Sequence, residues 1–408
     1  MGIIKALKCR ECSKEYPPEF LYICEDCFGP LDVLYNFANK ITKQTFENRS
    51  DLTYWRYFEI LPIEDKKNIV SLSGAITPLQ KADNLGYELG GLKNLFIKND
   101  SVNPTFSFKD RPAGVAVSKA KEMNLPAVGC ASTGNLASAT AAHASKARLP
   151  CYIFAPFDLE HVKIAQSLAY GAKFIAVDGT YDDANRLASV IGDSNGYGIV
   201  NINMRPYYVE GSKTLAFEIL EQLNWTVPDV LVIPVGSGAM LNSICKGFEE
   251  IMNLGIISDI SNLRIIAAQP HGCSPIVDAY KNKSDEVIPV EIPDTIAKSL
   301  AIGDPGDGSY VLKRLKQFNG IGEKVIDGEI KNAIILLAKT EGIFTEPAGG
   351  VSVGVLKKLI EENKIDKDEK VVCYVTGNGL KTTESIIDLL PALNPVKPDV
   401  RLVSAMIH

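Results

Sequence analysis

From residue 95 onward the chain repeats one unit: a short, continuous apolar run, a loop rich in Gly, Ser, Thr or Asn, and then a helical stretch. The apolar runs lie at 95–98, 127–131, 151–155, 174–177, 198–202, 230–235, 264–268 and 371–376. Helices are expected over 113–123, 136–147, 159–170, 182–191 and 211–223. Strands that are apolar on both faces must be covered on both, which calls for parallel sheets between layers of helices. The expected class is therefore α/β, doubly wound. Residues 40–78 break the pattern and read as an irregular connector with short helices, whose Trp55, Tyr57 and Phe58 pack onto the domain that follows.

Composition narrows the function classes. The 408 residues, 46% hydrophobic and 23% charged, suit a globular protein of two or three domains. The net charge of −6 is spread without a long single-sign block. That argues against nucleic acid and anionic membrane as partners and for a small-molecule substrate. No apolar run approaches the roughly 18 residues of a membrane helix. The opening MGIIKALKC is too short for a secretory h-region, and Ala6 stands where a myristoylation signal has Ser or Thr. A cytoplasmic protein is expected. Of nine cysteines, Cys130, Cys151, Cys245, Cys273 and Cys373 are scattered through apolar stretches and read as small core residues.

The other four cysteines are arranged differently. Cys9-Arg-Glu-Cys12 and Cys24-Glu-Asp-Cys27 are two C-x2-C knuckles eleven residues apart, the spacing of a zinc ribbon. Four thiolates complete a tetrahedral shell and leave no open position, so the metal would be structural. A ribbon of about forty residues is too small to fold on its own core, and the ion would supply the missing energy. A redox C-x2-C fits less well, because no strand–helix pattern follows either pair.

In doubly wound sheets, ligands collect where strands end and helices begin, because free N–H groups and a positive dipole end point there. Four such loops have unusual composition. In Asn103-Pro-Thr-Phe-Ser-Phe-Lys109-Asp-Arg111-Pro112, Lys109 stands at a helix start among aromatics, with Asp110 as the expected cap. That setting strips hydration from the amine, and Schiff-base chemistry needs a neutral one; a solvated lysine beginning a helix is the plainer alternative. Ser132, Thr133 and Asn135 open the Ala-rich helix and could hold a carboxylate or simply cap it. Gly236, Ser237, Gly238, Ala239 and Met240 resemble a phosphate cradle. They do not make the dinucleotide fingerprint, since Leu241 replaces its third glycine. Thr376-Gly-Asn-Gly379 follows the last apolar run, and Thr376 could aim a hydroxyl into the same crevice or shape a turn.

The order of these loops is more specific than any one of them. Lysine after Ser-Phe, then S-T-G-N, a glycine loop past the middle and T-G-N-G near the end resemble the fold-type II pyridoxal-phosphate enzymes, a tryptophan synthase β-like fold of two doubly wound domains. Ser107-Phe-Lys-Asp-Arg111, Ala131-Ser-Thr-Gly-Asn135, Glu341-Gly-Ile-Phe-Thr-Glu346 and the N-terminal ribbon resemble the threonine synthase family across essentially the whole chain. The resemblance implies a ribbon over 1–40, a larger cofactor-binding domain from 41–105 and 203–408, and a smaller one, 106–202, carrying the lysine. It implies that Lys109 holds pyridoxal 5′-phosphate as a Schiff base and then moves protons. Asn135 would meet ring O3′, residues 236–240 the cofactor phosphate, Thr376 the pyridine nitrogen, and Ser132 with Thr133 the substrate α-carboxylate. The implied reaction turns O-phosphohomoserine and water into threonine and phosphate.

Two features depart from the family's commonest pattern. Leu136 stands where many members have Thr, and the 201–206 stretch, Asn-Ile-Asn-Met-Arg-Pro, is spaced differently. If 203–205 continue an extended backbone, Asn203 and Arg205 point the same way and can hold the substrate's phosphate; an ion pair before Pro206 is the alternative for Arg205. Three other functions fit some of these observations: a sister synthase acting on phosphoserine or another phospho-amino acid, a threonine/serine dehydratase-like lyase, and a non-enzymatic ribbon protein. The last would need clustered basic residues, whereas Lys8, Arg10 and Lys14 are offset by six acids in the ribbon. A homo-oligomer is compatible with all of this.

Overall fold

The computed structural model of the protein describes residues 4–37, 41–47, 49–132, 134–157, 161–392 and 395–407. Its strands, in chain order, are β1 (Ile4–Cys9), β2 (Glu15–Tyr16), β3 (Leu31–Tyr35), β4 (Leu79–Lys81), β5 (Asn94–Asn99), β6 (Val128–Ala131), β7 (Cys151–Pro156), β8 (Lys173–Val177), β9 (Gly198–Ile199), β10 (Val230–Pro234), β11 (Arg264–Pro270), β12 (Ile321–Val325) and β13 (Lys370–Val375). They form three sheets: β2-β1-β3, β12-β11-β10-β13-β5-β4 and β8-β7-β6-β9. The four-stranded sheet is parallel throughout, and the six-stranded one is parallel except at its edge strand β4. The expected α/β, doubly wound class is what the chain adopts.

The apolar content of the strands explains the layering. β10 and β13 are buried almost along their whole length, with side chains divided between two clusters on opposite faces of the sheet. Helices of small residues allow close cover: Ala137, Ala139, Ala141 and Ala144 of the helix Asn135–Ala147 are all buried. The last strand, β13, inserts between β5 and β10, so the loops that follow β5, β10 and β13 leave the same edge of the sheet. The connector behaves as expected. Tyr57 is fully buried, its ring 5.4 Å from that of Phe217, and Trp55 packs with Tyr54, Leu61 and Val115. The five scattered cysteines are buried.

Two elements differ from the sequence reading. The run 198–202 pairs as a strand only over Gly198–Ile199, because Asn203 Oδ1 then takes the Ile199 N–H at 2.7 Å and the chain turns. The helix expected over 211–223 is two helices, Arg205–Ser212 and Thr214–Gln222. Gly211 is thus near the end of the first helix, not the start of one. A Cβ there would lie 2.3 Å from the Arg111 carbonyl, so this glycine permits a close crossing with the helix Asp110–Glu122.

The small N-terminal sheet lies against this body. Tyr207 donates to the Glu19 carbonyl at 2.9 Å, Lys246 to the Val33 carbonyl at 2.9 Å, and Tyr35 to Glu210. No helix among the described residues is long and apolar enough to cross a membrane.

Candidate active site

The lysine loop is fixed by its own hydrogen bonds. Lys109 immediately precedes the helix Asp110–Glu122. Its loop is stitched to the one after β13: Phe108 N–H donates to the Thr376 carbonyl at 2.9 Å, and Asn378 N–H to the Phe106 carbonyl at 3.0 Å. Asp110 does not cap the helix; it is the first helical residue, and its carboxylate takes the Thr105 N–H and hydroxyl at 2.7 and 3.0 Å, tying the loop back on itself. Arg111 is fully buried on Asp100, Glu218 and Thr77. The Lys109 amine lies 4.6 Å from the Phe108 ring centre and donates to the Tyr208 hydroxyl at 2.9 Å.

Asn135 faces this loop from the smaller sheet. It opens the helix that follows β6, and its amide donates to both oxygens of Glu346 at 2.9 and 3.2 Å. Burial pushes the Glu346 carboxyl up, against the Asn135 bond, the charges of Lys381 and Lys109, and the Thr376 hydroxyl. Asn135, Glu346 and Thr376 thus meet beside the lysine loop. Ser132 is half-buried, with Oγ 3.4 Å from Gly134 N; Thr133 lies outside the described residues. Leu136 packs into the core of the smaller sheet, so the departure at that position serves packing.

The glycine loop follows β10 and leads into the helix Ala239–Asn253. Gly238 has φ of 95°, and a Cβ there would lie 2.7 Å from Val311 and 3.0 Å from Asp307. The amides of Gly236, Ser237 and Gly238 donate to no protein acceptor among the described residues, while the Ser237 carbonyl takes the Asp307 N–H at 3.1 Å. Free N–H groups at a helix start fit a phosphate group. Together with an aromatic-flanked lysine and the Asn135 amide, they fit pyridoxal phosphate.

The two residues expected at the substrate's phosphate are placed differently from one another. Asn203 is not extended toward the crevice: its amide donates to the Tyr197 carbonyl and Asp193 at 2.9 and 3.3 Å, so both ends are used in locking the turn. Arg205 begins the next helix rather than continuing a strand. Its Nη2 reaches Asp307 at 2.5 and 2.6 Å, next to the glycine loop, and its Nη1 is buried without a partner. Glu346, Tyr208 and Asp307 were given no role by the sequence. Pro347 opening a helix after Glu346 was a usable signal; Tyr208, inside a helix, gave none.

In the ribbon, the Sγ atoms of Cys9, Cys12, Cys24 and Cys27 all lie within 4.8 Å of one another. Zinc–thiolate bonds of about 2.3 Å put tetrahedral sulfurs roughly 3.8 Å apart, and the Cys9–Cys27 and Cys12–Cys24 pairs are each at 3.5 Å. The donor set fits one four-coordinate ion.

Comparison with known proteins agrees with this geometry. The family described as pyridoxal-phosphate dependent enzyme matches residues 70–377. A threonine synthase of Methanocaldococcus jannaschii is 40% identical over 385 residues, 93% of this chain and 94% of that protein. One of Methanosarcina acetivorans is 38% identical over 386 residues, 94% of each. Among solved structures, a diaminopropionate ammonia lyase from Escherichia coli superposes with a TM-score of 0.66 at 20% identity, covering 88% of this chain and 96% of that one, which is likeness of fold. On these matches and this site, the chain belongs to the threonine synthase family of pyridoxal-phosphate-dependent enzymes.

Proposed function

We propose that the chain converts O-phospho-L-homoserine and water to L-threonine and phosphate. The observation that carries this is the meeting of the Lys109 loop with Thr376 and of Asn135 with Glu346, at the sheet edge from which the glycine loop also leaves, in a chain 40% identical to a threonine synthase over 93% of its length. Pyridoxal phosphate, when bound, supplies an electron sink for charge developing at the substrate carbons.

The chain's own residues do the rest. Lys109 anchors the cofactor and, once released, carries protons between Cα, Cβ and Cγ, with the Tyr208 hydroxyl orienting its amine. Asn135 would meet the cofactor's ring hydroxyl, residues 236–240 would hold its phosphate, and the Thr376 hydroxyl would meet its ring nitrogen. A hydroxyl there, rather than a carboxylate, would leave that nitrogen unprotonated and temper the electron sink. Ser132, with Thr133, takes the α-carboxylate, and the Arg205 fork takes the substrate's phosphate. Water then adds at the β-carbon after phosphate leaves the γ-carbon.

The ribbon, 1–40, holds one structural zinc through Cys9, Cys12, Cys24 and Cys27. The smaller domain spans 106–202 and the larger one 41–105 with 203–408, a division supported by the way the two parallel sheets draw their strands. The enzyme works in the cytoplasm on a small phospho-amino acid. The test is direct: protein supplied with cofactor should release phosphate and form threonine from O-phosphohomoserine. Lys109→Ala should lose both activities and the near-visible absorbance of bound cofactor. Phosphate release without threonine, or turnover retained by the variant, would overturn the assignment.

A further inference from the structure

We infer that Arg10, on the first cysteine knuckle, is a positioning residue for the substrate-phosphate site, acting on Arg205 through Asp307. The inference rests on the reading that Arg205 binds the substrate's phosphate. It gives the ribbon a role in substrate recognition besides its own folding.

Arg10 lies between Cys9 and Glu11, and its guanidinium faces two ways. Nε and Nη2 grip Asp32 of β3 at 2.6 and 2.8 Å, which fixes the fork within the ribbon. Nη1 reaches out of the ribbon to Asp307 Oδ1 at 2.9 Å, while the group stacks 4.9 Å from the Tyr310 ring centre. Glu11 accepts from the Tyr310 hydroxyl and so docks the same knuckle at a second point.

Asp307 is where the ribbon meets the site. Its side chain is 4% exposed, and both oxygens also accept from Arg205 Nη2. Its N–H donates to the Ser237 carbonyl at 3.1 Å, and its carbonyl takes the Asn242 amide at 3.4 Å. One residue therefore fastens the glycine loop, the substrate-side arginine and the ribbon arginine together.

Arg205 is left with spare capacity. Only Nη2 is committed to Asp307, and Nη1 is buried with no partner. A buried, unpaired N–H of a charged group is costly, and a phosphate oxygen is the acceptor a guanidinium fork suits best. Arg10 preserves that vacancy by sharing Asp307. Without it, Asp307 is free to swing onto the Arg205 fork and occupy the donors meant for substrate.

Electrostatics points the same way. Arg10 and Arg205 pair with Asp32 and Asp307, and Lys246 also acts on Asp32. Removing Arg10 takes one positive charge from this group and leaves Asp307 with Arg205 as its only cationic partner among the described residues. Both consequences weaken phosphate binding, and neither touches the reacting carbons, so the effect falls on KM rather than kcat.

The test uses the holoenzyme with zinc in place. Arg10→Ala should raise KM for O-phosphohomoserine and the inhibition constant of inorganic phosphate by about tenfold, the scale of coupling between neighbouring charges. Its kcat should stay within about twofold, as expected when only ground- and transition-state binding alike are lost. Arg10→Lys should recover part of the loss, since it keeps charge without the fork. Glu11→Gln loosens the Tyr310 contact without touching Asp307, and should leave the phosphate constant unchanged. In an Arg205→Ala background, which itself raises KM, adding Arg10→Ala should raise it further by clearly less than it does alone. Isothermal titration of the resting holoenzyme with inorganic phosphate gives the same comparison without turnover, and zinc content verifies that each ribbon is intact. If Arg205→Ala raises KM but Arg10→Ala does not, or if the two effects simply multiply, the link through Asp307 is wrong. If Arg205→Ala itself leaves KM unchanged, the reading of Arg205 fails first, and this inference fails with it.

Discussion

At the proposed site, the hydroxyl of Tyr208 faces the amine of a long, flexible lysine. The Lys109 amine has three rotatable donors on a four-carbon stem, and the 2.9 Å bond to Tyr208 restricts where they point. Tyr208→Phe keeps the ring beside the amine and removes that restriction. It should lower kcat by about tenfold, a part of what a misaligned proton carrier loses. KM should move little, and the near-visible absorbance of bound cofactor should persist because Lys109 is intact; the kcat-to-KM split and the spectrum check this. At this scale, Lys109, Asn135 and Thr376 were legible as candidates whose loops meet, because they sit in loops after strands, where polar residues need a reason. Tyr208 was not, because it lies on a buried helix face with Tyr207 and Val209, where an aromatic reads as core. Asn203 misled for a local reason: parity along an extended chain fails once the backbone turns after Ile199.

At the scale of elements, what aims the lysine loop is a buried ion cluster joining four pieces of chain. Lys98 of β5 donates to Glu218 at 2.6 Å, and Arg111 of the lysine helix reaches Asp100 at 2.6 Å and Glu218 at 2.5 and 2.8 Å. Glu218 comes from the helix Thr214–Gln222, and Thr77, just before β4, adds a hydroxyl within 2.8 Å of Arg111. Burial alone would push the Glu218 carboxyl up, but the charges of Arg111 and Lys98 outweigh it and hold it down at about 2. A depressed carboxylate stabilises the fold fully above its unfolded value near 4.3 and loses that contribution as pH falls toward 2. Glu218→Gln leaves two buried cations short of a partner, and should cost about 3–5 kcal/mol at neutral pH. In urea unfolding the gap between wild type and variant should stay constant above about pH 5 and narrow below it; a gap that widened in acid would contradict the ion cluster. The Ser-Phe-Lys-Asp-Arg run was visible in the sequence, but not that its Arg111 answers to a glutamate 107 residues away. Pairing over that distance leaves no trace in local periodicity.

Across the whole molecule, sequence periodicity gave the α/β class, yet it could not show that β13 slips between β5 and β10 or that the ribbon reaches the site. Both depend on which surfaces meet, and that is settled by packing rather than by spacing. The ribbon touches helices on several sides: Tyr207 on Glu19, Lys246 on Val33, Tyr22 on Asp193 and Arg10 on Asp307. On the proposal that the four cysteines hold a zinc ion, the metal would keep together a ribbon too small for its own core, and with it those contacts. Cys9→Ser with Cys12→Ser should therefore abolish binding of the proposed zinc and lower Tm by about 5 °C or more, since each lost kcal/mol shifts a domain of 150–250 residues by roughly 2–4 °C. Metal analysis and calorimetry check this directly. The proposed site draws its lysine, amide and glycine loop from the ends of strands in the two large sheets, so the bound cofactor's spectrum should survive in the folded variant. The substrate's affinity should not survive, because an unfolded ribbon withdraws Arg10 from Asp307 just as Arg10→Ala does. Zinc loss should then read out as a raised KM with kcat largely kept, whereas a ribbon that served only to stabilise the fold would lower the amount of active enzyme and leave KM where it was.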